Sequence, residues 1–140
     1  MKDIPARIRG IMTSPVVTVN AEASVKESAQ LMARKRIGCI VVTEKNTPVG
    51  IVTERDILQK VVALGLDSSK TLVREVMSRP LLTIGPDESI VKAARIMKRE
   101  NVRRLVVLEN EKLAGVVTER DLLRAAAFHM AISFRPLLQR

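Results

Sequence analysis

The chain has 140 residues, 46% of them hydrophobic and 28% charged, with six glycines and six prolines; this composition is typical of a folded globular protein and excludes a disordered or fibrous chain. Its longest stretch without a charged residue, 11–21, is too short and too polar to span a bilayer, so no membrane span is predicted. The net charge of +9 favours anionic partners such as nucleotides, nucleic acids or anionic lipids.

Cysteine and histidine each occur once, as Cys39 and His129. A lone cysteine cannot form an internal disulfide, and its setting in IGCIVV predicts a buried strand residue. The histidine lies 90 positions away, so neither a metal cluster nor a cysteine–histidine nucleophile pair is indicated. The start, MKDIPARIRG, lacks the apolar core of a secretory signal, and a cytoplasmic location is expected.

The chain repeats itself at an offset of 65 residues. Aligned without a gap, residues 11–58 and 76–123 are identical at 17 of 48 positions, where about three would be expected by chance. The matches include the segment VTERD, at 52–56 and 117–121. We therefore predict two copies of one unit, residues 1–71 with a core of about 9–64 and residues 72–140 with a core of about 73–130 and a C-terminal tail.

In the first copy, a short apolar strand at 16–19 precedes a helix that begins after Ser24. The apolar segments CIVVT and VGIVT, separated by a polar turn at 44–48, predict a β-hairpin. A second helix is predicted to begin at Thr53 and to end at Gly65, because glycine adopts a left-handed conformation at little cost.

The second copy has the same order, with a strand at 81–84, a helix after Ser89 and a hairpin around a turn at 109–112. Its last helix is predicted to run from Thr118 to about Met130. Each copy is therefore β-α-β-β-α. We predict an α/β fold in which the two copies, related by a pseudo-two-fold axis, pack together to bury a common core.

The first helices of the two copies are predicted to differ in their caps and to share an apolar face. Ser24 and Glu27 have the spacing of a capping box, whereas Lys92 stands at the glutamate's position in the second copy. Helical spacing predicts one core-facing stripe in each helix. Its members are Val25, Ala29 and Met32 in the first copy and Ile90, Ala94 and Met97 in the second.

Each copy has the motif M-x-x-P-x-x-T-V/I, then a helix and a pair of strands, then the motif G-h-V-T-x-x-D, where h is an apolar residue. This order resembles the cystathionine-β-synthase (CBS) domain, present as a tandem pair from about Arg9 to Ala127. The resemblance implies a non-catalytic regulatory module with no required cofactor. Its ligand would contain adenosine (AMP, ADP, ATP or S-adenosylmethionine) and would bind in clefts between the two copies. Such pairs dimerise through their helices, so we expect a homodimer that signals ligand occupancy to a separate regulated protein.

The spacing Thr-x-x-Asp occurs twice, at Thr53 and Asp56 and at Thr118 and Asp121. Three residues of helix rise about 4.5 Å and make nearly one turn, so the two side chains face the same way. A carboxylate can accept hydrogen bonds from both ribose hydroxyls, and a helix N-terminus favours a phosphate. The same spacing is also a helix-capping signature, and the two roles can coexist.

A phosphate beside an aspartate needs a cation. The candidates are Arg55, Arg103, Arg104 and Arg120. The resemblance places Arg103 and Arg104 at the phosphate-contacting position of the second copy. Because the first copy has Gly38 and Cys39 there, the two clefts are expected to differ in affinity.

The resemblance also pairs each Thr-x-x-Asp with the first strand of the other copy. Thr53 and Asp56 would work with Leu82 and Thr83, and Thr118 and Asp121 with Val17 and Thr18. Adenine needs an apolar slot. The side chains available for it are Val17, Ile40, Leu82 and Leu105.

Structural roles are predicted for several other residues. The basic residues at 34–36, 98 and 99 are expected to be solvated helix ends, and His129 to lie on a helix surface or to pack in the tail. The tail from Phe128 to Arg140 carries both aromatic residues and is expected to pack on a neighbouring subunit. The sequence contains no glycine-rich phosphate loop of the Walker or Rossmann type.

Two alternatives remain open. The charge and the isoelectric point near 10.4 would also suit a nucleic-acid-binding accessory protein, although two phenylalanines and no Tyr or Trp leave few rings for stacking bases. The other alternative is a structural dimer whose clefts stay empty.

Overall fold

The computed structural model describes residues 7–138, with side chains as far as Ala131. The strands are β1 Thr18–Asn20, β2 Cys39–Glu44, β3 Thr47–Thr53, β4 Thr83–Ile84, β5 Arg104–Glu109 and β6 Lys112–Thr118. The helices are α1 Val25–Lys35, α2 Glu54–Ile57, α3 Val73–Val76, α4 Ile90–Glu100 and α5 Glu119–Leu138.

The strands form two three-stranded sheets, in the orders β1-β2-β3 and β4-β5-β6. In each sheet the first strand runs parallel to the second, and the second and third form an antiparallel hairpin. The register is equivalent in the two sheets, since Val41 faces Ile51 and Val106 faces Val116. The predicted mixed α/β fold, built from two repeats, is confirmed.

The hairpin turns are tighter than predicted. Lys45 and Asn46 have φ of 52° and 65°, and Asn110 and Glu111 have the same pair of values. Two left-handed residues in succession match the twist of the flanking strands, which allows a two-residue connection. Residues 47 and 48, assigned to the turn from their polarity and the proline, therefore belong to β3.

Both serine caps form as predicted, but the capping box does not. Ser24 Oγ accepts the N–H of Glu27 at 3.1 Å, and Ser89 Oγ accepts that of Lys92 at 3.0 Å. Among the bonds of residues 7–138, none joins the Glu27 carboxylate to the Ser24 N–H. The predicted difference between the two caps is therefore wrong, because each helix is capped by its serine alone.

The second helix of each copy differs from the prediction in its course. After α2 the chain continues as a π-helical segment, Leu58–Val62, before Gly65 adopts a φ of +68°, which confirms the predicted left-handed end. In the second copy α5 continues to Leu138, well beyond Met130. The uninterrupted helix carries no glycine after Gly115 that could end it earlier.

Two short helical turns were missed, a 3₁₀ turn at Ile8–Gly10 and α3. They occupy equivalent places, at the start of each repeat. Each is only about one turn long, so hydrophobic periodicity could not reveal it.

The chain separates into two compact units, one of Val16–Leu82 and one combining Met1–Pro15 with Thr83–Arg140. In the first, Ile51 exchanges backbone hydrogen bonds with Ser78, at 2.8 and 3.2 Å. In the second, Thr13 and Val116 exchange equivalent bonds, at 2.9 and 3.1 Å. The leading segment of each repeat therefore pairs with the hairpin of the other repeat.

The core of the first unit is built from the strands and from one face of α1, where Val25 and Met32 are buried. In α4, Met97 is buried as predicted, but Ala94 is exposed and its neighbour Ala93 is fully buried. Ser28, the repeat equivalent of Ala93, is also fully buried. The middle of each predicted stripe is therefore displaced by one residue, to Ser28 and Ala93, while Val25, Met32 and Met97 are buried as predicted.

Three consecutive residues of β2, Ile40 to Val42, are at most 1% exposed. Because side chains alternate along a strand, neither face of the sheet is open to solvent at this point. None of the helices within residues 7–138 combines the length and the apolar character that a bilayer crossing requires.

Candidate functional site

The first Thr-x-x-Asp forms a reciprocal cap at the start of α2. Thr53 Oγ accepts the N–H of Asp56 at 3.1 Å, while Asp56 Oδ2 accepts the N–H of Thr53 at 2.9 Å. The strand β3 ends at Thr53, so the carboxylate stands where the sheet meets the helix. The capping interpretation of this spacing is therefore confirmed.

The second Thr-x-x-Asp has the same geometry at the start of α5. Thr118 N–H donates to Asp121 Oδ2 at 2.8 Å, and Asp121 N–H donates to Thr118 Oγ at 3.2 Å. The duplication of the sequence thus becomes a duplication of backbone and side-chain geometry. Each carboxylate lies in the first turn of a helix, where the helix dipole stabilises negative charge.

The two carboxylates differ in what else they bind. Asp56 also accepts from the Ser78 hydroxyl at 3.2 Å and forms an ion pair with Lys60, whose Nζ lies 3.0 Å from Oδ1. Its side chain is only 10% exposed. Among the described residues, Asp121 has no bond beyond those to Thr118. Lys60 and Ser78 are not predicted by the sequence motifs, although the i,i+4 spacing of Asp56 and Lys60 favours an ion pair on a helix.

The candidate arginines of the second copy lie near Thr118 along the backbone. Arg104 faces Thr118 across the hairpin, and the carbonyl of Arg103 accepts the N–H of Glu119 at 2.8 Å. The Arg103 side chain is exposed and lines a groove beside α5, whereas the Arg104 side chain is half-buried. Their predicted contact with phosphate stays a prediction.

The first copy repeats this backbone arrangement without the charge. Glu54 N–H donates to the carbonyl of Gly38 at 3.1 Å, and Cys39 faces Thr53 across the hairpin. Cys39 is a strand residue as predicted, but its side chain is half-buried rather than buried. The backbone is therefore equivalent in the two copies, and the copies differ in charge, because Gly38 and Cys39 stand where the second copy has Arg103 and Arg104.

The other predicted contact residues have varied exposure. Arg55 and Arg120 are exposed on the first turns of α2 and α5. Among the strand residues, Thr18 and Thr83 are exposed, and Val17 and Leu82 are half-buried. The proposed grouping of these strand residues with the Thr-x-x-Asp of the other repeat stays a prediction.

Two residues suggested for the adenine slot are unsuitable. Ile40 is 1% exposed and Leu105 is 0% exposed, so both side chains are buried in the hydrophobic core. Each is the first fully apolar position of a central strand, and burial there leaves no surface for a base. That part of the sequence interpretation is wrong.

Each unit also carries an open groove of about 450 Å³ between its two longer helical segments, lined by both apolar and charged residues. The grooves are equivalent in the repeat, since the seven residues that line the first lie 65 positions before seven of the nine that line the second. The first is lined by Met32, Ile37 and Ile57, and the second by Met97, Val102 and Leu122.

The basic residues 34–36, 98 and 99 are exposed at the ends of α1 and α4, which confirms the prediction of solvated helix ends. His129 is half-buried on α5, and its Nδ1 is shielded from solvent without a hydrogen-bond partner among residues 7–138. In the same range, no group of three or more His, Cys, Asp or Glu side chains is placed to hold a metal ion. The Phe134 side chain lies outside the described residues.

The sequence profile of the CBS domain matches two segments of the chain, residues 8–63 and 73–127. These segments contain both hairpins and both Thr-x-x-Asp turns. The chain belongs to the CBS domain family. The expectation drawn from the sequence motifs is confirmed.

Curated relatives support this assignment. The CBS domain-containing protein YhcV of Bacillus subtilis is 35% identical over 115 residues, which cover 82% of this chain and 81% of YhcV. The uncharacterised protein MK0525 of Methanopyrus kandleri is 36% identical over 118 residues, covering 83% of this chain but 60% of that protein. The CBS pair thus spans most of some relatives and only part of others.

A solved structure combines the fold with bound ligands. The CBS domain pair of protein MJ0100, in complex with 5′-methylthioadenosine and S-adenosyl-L-methionine, has a TM-score of 0.78 with this chain. The two are 25% identical, and the match covers 88% of this chain and 97% of the MJ0100 chain.

Proposed function

We propose that this CBS domain pair is a non-catalytic sensor that binds an adenosine-containing ligand through its Thr-x-x-Asp turns. The observation that carries the proposal is the placement of a carboxylate at the start of α2 and of α5, each held by a threonine. The MJ0100 complex supports the class of ligand, because both of its bound molecules contain adenosine.

In this proposal the carboxylates of Asp56 and Asp121 accept hydrogen bonds from the ribose hydroxyls. The threonine hydroxyls and the nearby arginines provide donors for a phosphate. The strand residues Val17, Thr18, Leu82 and Thr83 supply the base-facing contacts suggested by the family resemblance. Arg55, Arg103, Arg104 and Arg120 are the proposed source of positive charge.

The signal would pass through self-association of the chain. Each unit exposes large apolar residues on its second helical segment, including Leu58 at 60% and Leu123 at 63%. Apolar surface of this kind is typical of a protein interface. We propose a homodimer formed by these helices, whose geometry responds to ligand and is read by a separate regulated protein; a ligand can shift that geometry only if it binds one arrangement more tightly.

The test is isothermal titration of purified, ligand-free protein with AMP, ADP, ATP and S-adenosylmethionine. We expect at least one to bind, and the double variant D56A/D121A to lose that binding. Both aspartates also cap helices, so a matched control is needed. The variant S24A/S89A removes two caps from α1 and α4 and should keep the affinity of the unsubstituted protein.

Equal affinity of D56A/D121A and the unsubstituted protein for every adenosine ligand would rule out the proposed site. Absence of heat with all four ligands at several temperatures would rule out the sensor function. A nucleic-acid gel-shift measured over a range of salt concentrations would then test the basic-surface alternative, since phosphate contacts make affinity fall steeply with salt.

A further inference from the structure

An open cavity of about 380 Å³ lies against the first three turns of α5. It is lined by Ile11, Asp121, Arg124, Ala125 and Phe128. The four helical residues follow the spacing i, i+3, i+4 and i+7, so they share one face of α5. This volume is within the range of small-molecule sites, which is about 300–1,000 Å³.

The Asp121 carboxylate has spare hydrogen-bonding capacity in this cavity. Its Oδ2 accepts from Thr118, while among residues 7–138 no donor is bonded to Oδ1. The exposed guanidinium of Arg124 has no ion pair or hydrogen bond within the same range. An acceptor and a cation therefore line one cavity without engaging each other.

In the first copy, the side chain of Lys60 occupies the place that is equivalent to this cavity. Asp56 and Lys60 stand 65 positions before Asp121 and Ala125, and Val76 stands 65 positions after Ile11. Lys60 Nζ lies 3.0 Å from Asp56 Oδ1 and donates to the carbonyl of Val76 at 2.9 Å. The lysine thus reaches across the space that remains open beside Ala125.

The Asp56 carboxylate is also saturated. It accepts from the N–H and the hydroxyl of Thr53, from the Ser78 hydroxyl and from Lys60. A ribose would have to displace these donors, and a carboxylate has about four acceptor positions. No such displacement is needed at Asp121.

We propose that the Asp121 cavity is the adenosine-ligand site of this chain, with Arg124 binding the phosphate, and that Lys60 closes the equivalent place in the first copy. The inference rests on the proposed function and revises it in three respects. One carboxylate rather than two binds the ribose, Arg124 takes the place of the four arginines named there, and Phe128 takes the place of the strand residues as the contact for the base. Asp121 accepts from the ribose hydroxyls, and the planar fork of Arg124 binds phosphate oxygens. Phe128, which is 55% exposed, offers its ring to the base.

The chain itself supplies the substitutions that test this assignment. R124Q introduces glutamine, which the first copy has at the equivalent position, Gln59. A125K introduces lysine, which the first copy has at Lys60. K60A is the converse of A125K and serves as the control. Each variant is titrated with AMP and with adenosine, and its fold is checked by circular dichroism.

We expect the unsubstituted protein to bind one AMP per chain. R124Q should weaken AMP about tenfold or more through loss of a charge-assisted bond, while its affinity for adenosine stays within about twofold. A125K should abolish binding of both, and K60A should keep the affinity for AMP. Because Ala125 is buried, A125K could fail to fold, but Arg124 is exposed and R124Q keeps the test decisive.

The outcomes separate this site from the general function. Unchanged AMP affinity in R124Q, or binding of S-adenosylmethionine without AMP, overturns the assignment of Arg124 and leaves the sensor function standing. Loss of AMP binding in K60A places the site in the first copy and overturns the proposed closure. No binding of any adenosine ligand by the unsubstituted protein overturns both proposals.

Discussion

The Sδ atom of Met77 lies 2.7 Å from the position that a Cβ atom at residue 50 would occupy. Met12 and Gly115 have the same relationship, also at 2.7 Å. The methionine and the glycine that recur in each repeat are therefore contact partners, with the methionine of one repeat packed against the glycine of the other.

This packing predicts that G50A and G115A destabilise the protein. Backbone carbonyls also crowd the added methyl group, at 3.0 Å from Ser78 and 2.9 Å from Thr13, so movement of the methionine alone cannot relieve the overlap. We expect a loss of about 1–3 kcal/mol in the free energy of unfolding for each variant. Chemical denaturation followed by circular dichroism measures it.

The control for this prediction is G85A. A Cβ at residue 85 would have its nearest neighbour at 3.5 Å, an ordinary contact. G85A should therefore be nearly neutral. Equal stability of all three variants would contradict the packing argument.

The serine caps give a second prediction. S24A and S89A should each cost about 1 kcal/mol of unfolding free energy, because each removes the acceptor for one N–H at the start of a helix. The two losses should be similar, since only the serine takes part in either cap. E27A should change little; a large loss in E27A would show that a capping box forms after all.

The homodimer proposal predicts a change in mass on substitution of the exposed leucines. Leu58 and Leu123 occupy equivalent repeat positions and are 60% and 63% exposed. L58E/L123E should be monomeric in light scattering at a concentration where the unsubstituted protein is dimeric, because charged groups are costly to bury at an interface. L66E, at a residue that is 48% exposed, is the control and should remain dimeric.

A fourth prediction concerns pH. The Ser69 hydroxyl and N–H donate to Asp67 at 2.6 and 2.9 Å, and these bonds lower the pKa of the carboxyl below its usual value. A lowered pKa in the folded state stabilises the protein above the unfolded pKa of about 3.9, and that contribution disappears as the pH falls through the folded value.

S69A should therefore raise the pKa of Asp67 and lower the thermal midpoint at pH 7. The difference in midpoint from the unsubstituted protein should shrink as the pH falls through the folded pKa of Asp67, because protonation of the carboxyl removes the stabilisation that these bonds provide. NMR titration of the Asp67 carboxyl carbon measures the pKa directly. S68A, which leaves both bonds to Asp67 in place, should have no effect on it.

Much of the fold could be read from the chain alone. The offset of 65 residues revealed the repeat, apolar alternation located the hairpins, and Ser24 and Ser89 marked the starts of α1 and α4. These features depend on residues close together in sequence, or on a comparison of the sequence with itself. The Thr-x-x-Asp turns were found for the same reason.

Other features required the tertiary structure. Ala93 is buried rather than Ala94 because of the way α4 is rotated against its sheet. Helical periodicity in the sequence does not distinguish two adjacent alanines. The bond from Lys60 to Val76 and the contact of Met77 with Gly50 join residues far apart in the chain. The sequence by itself determined that two equivalent Thr-x-x-Asp turns exist, whereas side-chain packing decided that Asp56 is enclosed by its neighbours and Asp121 faces a cavity.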